Sequence, residues 1–347
     1  MGALQARGAV ESRLREMTDR ARFLENEIKS LNKLLAAGLA EFSSANLSDA
    51  AAEFRKVARD IKRLEEQLFT AGNYNERNSL NDLTGTEWLR HTKSWFILDG
   101  KAADIDEEID NHPGSFPPEL ATFFIEFFTK GGAMVLDPFM GIGSTLAAAA
   151  ALKRKCVGFE LNPQYAQYAQ DRGKKMNPGE LILTVHAEDA RNIPEIWTRE
   201  HYQPVNLCIT SPPYWNMLAT SRGGVDSTQK QRKKQGLDTV YSADSRDLGN
   251  IPQYDDYVTS LAKVFADLNP VLADKAYIVI VLQNCRPKDG IMKPLVWDVA
   301  RELSKTYLLR QEFIWLQDQK FLGIWGYPTT YVSNVHHHYC LVFQNKR

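Results

Sequence analysis

The stretch Val135-Leu136-Asp137-Pro138-Phe139-Met140-Gly141-Ile142-Gly143-Ser144-Thr145 constrains this chain more than any other. A short apolar run meets a glycine-rich turn, and the turn opens the alanine-rich segment Leu146 to Leu152. Strand, tight turn and helix in that order make one βα unit of a layered α/β protein. Gly141 and Gly143 permit tight turning and let a ligand approach the backbone closely. The next predicted strand, Cys156 to Glu160, ends in a carboxylate 17 residues after Gly143. In nucleotide-binding α/β units, an acid about 20 residues beyond the glycines accepts from ribose hydroxyls. The glycines do not complete Gly-x-Gly-x-x-Gly and no Gly-Lys-Ser/Thr follows. Neither an ordinary dinucleotide site nor a P-loop is therefore expected.

A second apolar run, Val205 to Ile209, ends in Thr210-Ser211-Pro212-Pro213-Tyr214-Trp215. Each proline fixes its own φ and lacks an N–H, so Ser211 and Tyr214 are held at a strand's carboxyl edge. Open α/β sheets bind ligands at such edges. Tyr214 offers a stacking face to a planar substrate. Ser211 and a motif carbonyl, with Pro212 the first choice, can accept hydrogen bonds from an amine. Alone, the stretch reads as a proline-rich turn after a core strand. Beside the upstream glycines it suits chemistry on the exocyclic amino group of a base.

Asp137 to Thr145, Gly158-Phe159-Glu160 and Thr210 to Trp215 together resemble the S-adenosylmethionine-dependent amino-methyltransferases of DNA, which act on cytosine N4 or adenine N6. The segment Asn111-His112-Pro113-Gly114-Ser115-Phe116-Pro117 looks like that family's extra cofactor motif. The resemblance covers roughly residues 80–347. It implies a Rossmann-like class I methyltransferase fold with a doubly wound sheet, S-adenosyl-L-methionine as cofactor and DNA as partner. It assigns His112, Phe116, Asp137, Pro138, Phe139, Gly141, Gly143, Ser144, Thr145 and Glu160 to the cofactor. Asp189, with Glu188 second, would accept from the cofactor's adenine amino group. Ser211, Pro212, Pro213 and Tyr214 would be catalytic, with Tyr214 stacked on a flipped base. A serine opening the tetrapeptide is more typical of the family's N4-cytosine members, and Asp or Asn of its N6-adenine members. Methyl transfer to cytosine N4 is the implied activity; N6-adenine transfer in DNA, an RNA or protein-amide methyltransferase with a related Pro-Pro-Tyr motif, and a catalytically silent DNA-binding scaffold are the alternatives. The cofactor motif precedes the catalytic one here, whereas many N4-cytosine enzymes are permuted the other way.

The rest of the chain is read around this domain. At 347 residues, one domain plus an appendage is expected. Residues 1–72 carry two runs at 3,4 spacing, Leu14 to Leu35 and Leu47 to Leu68, broken near Gly38 and Ser43 to Asn46. They predict a helical hairpin or coiled-coil arm, which could also support a homodimer. Residues 73–110 form a linker, in which Asn81 to Gly85 reads as a turn with an N-cap. Trp95-Phe96 suits either a pocket wall or a packed strand. Residues 111–347 form the methyltransferase domain, with an insertion at 216–253. Arg222, Lys230, Arg232, Lys233 and Lys234 make that insertion basic, as phosphate contact requires. The same composition describes a solvated insertion. Trp325 and Tyr327 lie in an aromatic loop suited to stacking on a base or wedging into DNA. The four cysteines lack metal-ligand spacing and a Pro-Cys pair, so buried thiols are expected and a covalent cytosine-C5 mechanism is not. His336-His337-His338 alternate across a strand, so no metal is expected. No apolar run approaches membrane-spanning length, and a cytoplasmic protein with no membrane partner is expected. The net charge of −1 is weak counter-evidence to a nucleic-acid substrate, for which a basic patch is expected; its distribution matters more.

Overall fold

The computed structural model describes residues 74–98, 116–176, 181–215, 244–287, 291–318, 328–329 and 333–347. The arm at 1–72 lies outside the described residues, as do 216–243 within the basic insertion, including Arg222, Lys230, Arg232, Lys233 and Lys234. His112, Trp325 and Tyr327 lie outside them too. The chain divides into two compact units, one of 1–75 with 84–89, the other of 76–83 with 90–347. The sheet, the helices that pack on it and the cleft belong to the second; Thr84–Leu89 belong to the first.

Eight strands form the sheet: β1 (Trp95–Ile97), β2 (Met134–Asp137), β3 (Lys155–Phe159), β4 (Leu183–His186), β5 (Val205–Thr210), β6 (Leu272–Leu282), β7 (Leu308–Leu316) and β8 (His337–Gln344). Their spatial order is β1-β7-β8-β6-β5-β2-β3-β4. All neighbours run parallel except β8, which is antiparallel to both β6 and β7. The order reverses between β2 and β5, where a doubly wound sheet opens a crevice above its carboxyl ends.

Helix α1 (Gly85–Arg90) lies ahead of β1 in sequence, almost wholly in the first unit. Helices of the second unit cover both faces of the sheet: α2 (Pro118–Phe128) precedes β2, α3 (Ser144–Ala151) follows it, and α4 (Pro163–Met176) follows β3. Side chains of α2, α3 and α4 such as Phe124, Leu146 and Ala169 pack on one face of the sheet. The other face is covered by α5 (Ile193–Arg199), α6 (Tyr254–Asp267) and α7 (Leu295–Leu303), through Trp197, Val264 and Val299. Burial on both faces explains why β2 has no exposed residue and reads as an unbroken apolar run up to Asp137. The alanines of α3 let it lie close between its neighbours: a Cβ on Gly143 would fall 3.1 Å from that of Ala169 in α4. At α1, Thr84 and Glu87 form a reciprocal cap, with Thr84 N donating to Glu87 Oε2 at 2.7 Å and Glu87 N to Thr84 Oγ1 at 3.3 Å.

Three elements take their form for local reasons. Strand β6 begins at Leu272, ahead of the polar pair Asp274-Lys275. Its pairing with β5 shifts between Val205 and Leu207, and Lys275 has φ 57, so the polar Asp274-Lys275 pair is an irregularity inside a strand. Helix α3 starts at Ser144, two residues before the alanine run, because Gly143 at φ 88 lets the turn close there. Helix α5 was not anticipated, since at seven residues it carries too few turns to show a period. Trp95-Phe96 forms the edge strand beside β7, and neither ring lies in the cleft. All four cysteines are thiols and buried. Among the described residues no group of His, Cys, Asp and Glu could hold a metal ion, and no helix is long and apolar enough to cross a membrane.

Candidate active site

The crevice at the switch point is the cleft that the sequence motifs share. With its open mouth it spans about 820 Å³. The turn after β2 supplies one wall through Pro138, Phe139, Met140, Gly141 and Ser144, and Phe116 adds to it ahead of α2. Glu160 stands at the end of β3. Its Oε2 accepts from Gly141 N and its Oε1 from Asn162 N, both at 2.8 Å. An ionised carboxylate has about four lone-pair positions, so further acceptor capacity faces the cleft. Burial pushes the Glu160 carboxyl up to about 7, against the pull of its two backbone donors.

Asp137, Gly143 and Thr145 stand behind the turn and are not among the residues that line the cleft. Asp137 is buried beneath the turn. Its Oδ1 accepts from Phe139 N at 3.0 Å and its Oδ2 from the Thr145 hydroxyl at 2.5 Å. Burial raises its pKa to about 6, while Thr145, Thr210 and the Phe139 amide favour the ionised form. The Thr210 hydroxyl exerts this influence without closing to an ordinary hydrogen bond. These three residues shape the turn that presents Gly141 and Ser144.

The opposite wall joins two segments. After β4 come Glu188, Asp189 and Ala190. Asp189 caps a short 3₁₀ turn at Ala190–Asn192, accepting from Arg191 N at 2.9 Å. The Arg191 guanidinium grips both carboxylate oxygens, at 2.9 and 2.5 Å. Burial pushes the Asp189 carboxyl up, but the Arg191 hydrogen bonds outweigh it and hold it below the usual carboxylate range. Arg191 also donates to the Arg246 carbonyl at 2.8 Å, tying in the second segment. That segment supplies Arg246, Asp247 and Leu248, which sequence reasoning missed.

Ser211 and Pro213 complete the lining at the end of β5. The Ser211 hydroxyl donates to Tyr214 Oη at 3.2 Å, and Tyr214 Oη donates to the Val281 carbonyl at 3.4 Å. Pro213 O accepts from the Tyr257 hydroxyl at 2.7 Å, and Trp215 Nε1 donates to Ile251 O at 2.9 Å. The turn is therefore braced from α6 and β6. Tyr214 is 6% exposed and packs in the core. Pro212 is buried beside it.

In a doubly wound α/β domain, a cleft at the switch point is where ligands bind. Residues 55–171, about a third of the chain, match the family model described as DNA methylase, of N6 and N4 type. It is 37% identical over 81 residues to the orphan methyltransferase M.BamHII of Bacillus amyloliquefaciens, a match covering 23% of this chain and 31% of the relative. The type II methyltransferase M.SmaI of Serratia marcescens is 42% identical over 65 residues, covering 18% and 22%. The tRNA (guanine(10)-N2)-dimethyltransferase of Methanocaldococcus jannaschii is 26% identical over 130 residues, covering 37% and 34%. The matches thus span about a third or less of these relatives' lengths. The family's cofactor is S-adenosylmethionine. The cleft suits it: Glu160 has acceptor capacity for a ribose, Phe139, Met140, Leu161 and Leu248 give apolar walls, and Glu188 and Asp189 add acceptors after β4.

Proposed function

We propose that this protein transfers a methyl group from S-adenosylmethionine to the exocyclic N4 of cytosine in DNA, directly and with the base flipped out of the helix. The observation that carries the proposal is that one cleft holds both Glu160 and Ser211. The ribose acid and the catalytic serine are 51 residues apart in sequence. When bound, the cofactor supplies a methyl group on a positively charged sulfur that leaves as a neutral thioether.

The chain's residues have to make a poor nucleophile reactive. The amino lone pair of cytosine is delocalised into the ring. Because the Ser211 proton points to Tyr214 Oη, the serine's lone pairs are left to accept from the amino group. Each hydroxyl in the series Ser211, Tyr214, Val281 carbonyl polarises the next. A second acceptor from a motif carbonyl would favour a pyramidal nitrogen. Pro213 O is already engaged by Tyr257, which leaves Pro212 O as the candidate. Positioning supplies most of the acceleration, and Ser211 is no nucleophile. Phe116, Pro138, Phe139, Gly141, Ser144, Glu160 and Asp189 hold the cofactor in this reading. Arg222, Lys230, Arg232, Lys233, Lys234, Trp325 and Tyr327 contact DNA, and the N-terminal helices join two copies.

Labelled S-adenosylmethionine with mixed-sequence duplex DNA, digested to nucleosides and read by mass spectrometry, tests the proposal. N4-methylcytosine is expected. N6-methyladenine would overturn the choice of base and keep the chemistry. Label in RNA and none in DNA would overturn the substrate.

A further inference from the structure

We infer that Asp247 selects the positively charged methyl donor over its neutral demethylated product, an inference that rests on the methyltransferase reading above. Asp247 is 7% exposed and lies on the cleft wall. Its position is fixed from two directions. Its Oδ1 accepts from Gly249 N at 2.8 Å, capping the 3₁₀ turn Leu248–Asn250. Gly249 abuts the catalytic turn: a Cβ there would lie 3.5 Å from Pro213 Cβ and 3.6 Å from the Tyr214 carbonyl oxygen. Toward the other side, Asp247 acts electrostatically on the Glu160 carboxyl. Asp247 therefore borders both the acid suited to a ribose and the turn suited to the acceptor amine. A donor with its ribose at Glu160 and its methyl at Ser211 would lie along the cleft that Asp247 also lines.

The cleft lining holds four carboxylates, Glu160, Glu188, Asp189 and Asp247, against one guanidinium, Arg246. They are not equivalent. Arg191 grips Asp189, Glu188 faces solvent, and two backbone N–H groups engage Glu160. Asp247 is the carboxylate at the catalytic end. Transfer forms the N–CH₃ bond and breaks the S–CH₃ bond. The bonding pair stays on sulfur, and the amine proton leaves to solvent. The sulfur thus loses its positive charge. A buried carboxylate attracts the donor and not the product. Positive charge also disperses as the methyl moves, so Asp247 acts on donor capture and product departure rather than on the barrier.

The test is calorimetric titration of the whole chain and its Asp247→Asn variant with S-adenosylmethionine and S-adenosylhomocysteine. Asn keeps an acceptor for Gly249 N and is an equally good cap, and a melting curve checks that the fold persists. Asp247→Ser, which also caps, repeats the comparison if the first variant melts early. The donor's affinity should fall on the order of tenfold, the worth of one partly buried charge pair, while the product's stays within about twofold. Product inhibition should then strengthen relative to KM. An equal loss for both ligands, or no loss for either, overturns the inference and leaves the methyltransferase reading intact. A wild-type chain that binds neither ligand overturns both.

Discussion

Burial lifts the Glu160 carboxyl to about 7, which makes ligand affinity depend on pH across neutrality. Ribose hydroxyls donate to a carboxylate, so the bound state takes the ionised form. In the free protein about nine-tenths of the group is ionised at pH 8 and about one-tenth at pH 6. By linkage, cofactor affinity should be about tenfold weaker at pH 6 than at pH 8. The stability of the free protein runs the opposite way. Its folded pKa lies above the unfolded value, so this group's contribution is fully present below about pH 4 and declines as pH rises through 7. Asp137, raised to about 6, adds in the same direction. Calorimetry with S-adenosylhomocysteine from pH 6 to 8, on wild type and Glu160→Gln in parallel, isolates the effect. The ligand's own titrations contribute equally to both proteins. Glutamine leaves one acceptor for two backbone donors, Gly141 N and Asn162 N, so the variant should bind at least about tenfold more weakly throughout. Its pH slope should be the ligand's alone. Identical slopes for the two proteins would refute the assignment of Glu160 as ribose acceptor.

Ser211→Ala should lower turnover by about a hundredfold or more, with cofactor affinity unchanged in calorimetry, because it removes an acceptor at the reacting amine. Tyr214→Phe keeps the buried ring and removes the hydroxyl that orients Ser211; kcat should fall by about tenfold with KM for the cofactor unmoved. If kcat is unchanged, the hydroxyl series has no catalytic role. Asp137→Asn should remain folded, melt higher than wild type above pH 7 and bind cofactor within a few-fold, as suits a residue beneath the turn. Loss of binding with an intact fold would return Asp137 to direct contact. Gly143→Ala combines φ 88 with a Cβ 3.1 Å from Ala169 Cβ and 3.3 Å from its Cα, so it should lose about 1–3 kcal/mol in denaturant unfolding.

What was legible in the sequence was local. The β2 turn, Glu160, and the strand ending at Ser211 each combine a period with a punctuating residue inside a short window. Neighbouring residues suffice to place them on a strand's carboxyl end, and the doubly wound sheet then carries them to one crevice. Even there, residue type was a poor guide to contact. Asp137 and Thr145 carry the polar groups that a ligand site suggests, yet those groups satisfy each other and the turn's own amide. Tyr214 looked like a stacking platform because it follows two prolines at an open edge. Its fate is set by β6, whose Val281 lies 67 residues further on and receives the tyrosine hydroxyl from within the core.

The wall formed by Arg246, Asp247 and Leu248 shows a different limit. These residues lie inside the 216–253 insertion, at a 3₁₀ turn too short to show a sequence period. Their place follows from bonds to distant partners. The Arg246 carbonyl meets Arg191, 55 residues earlier, and Gly249 rests against Pro213 and Tyr214. The two ends of the insertion thus meet at the same cleft, one as the catalytic turn and the other as a cofactor wall.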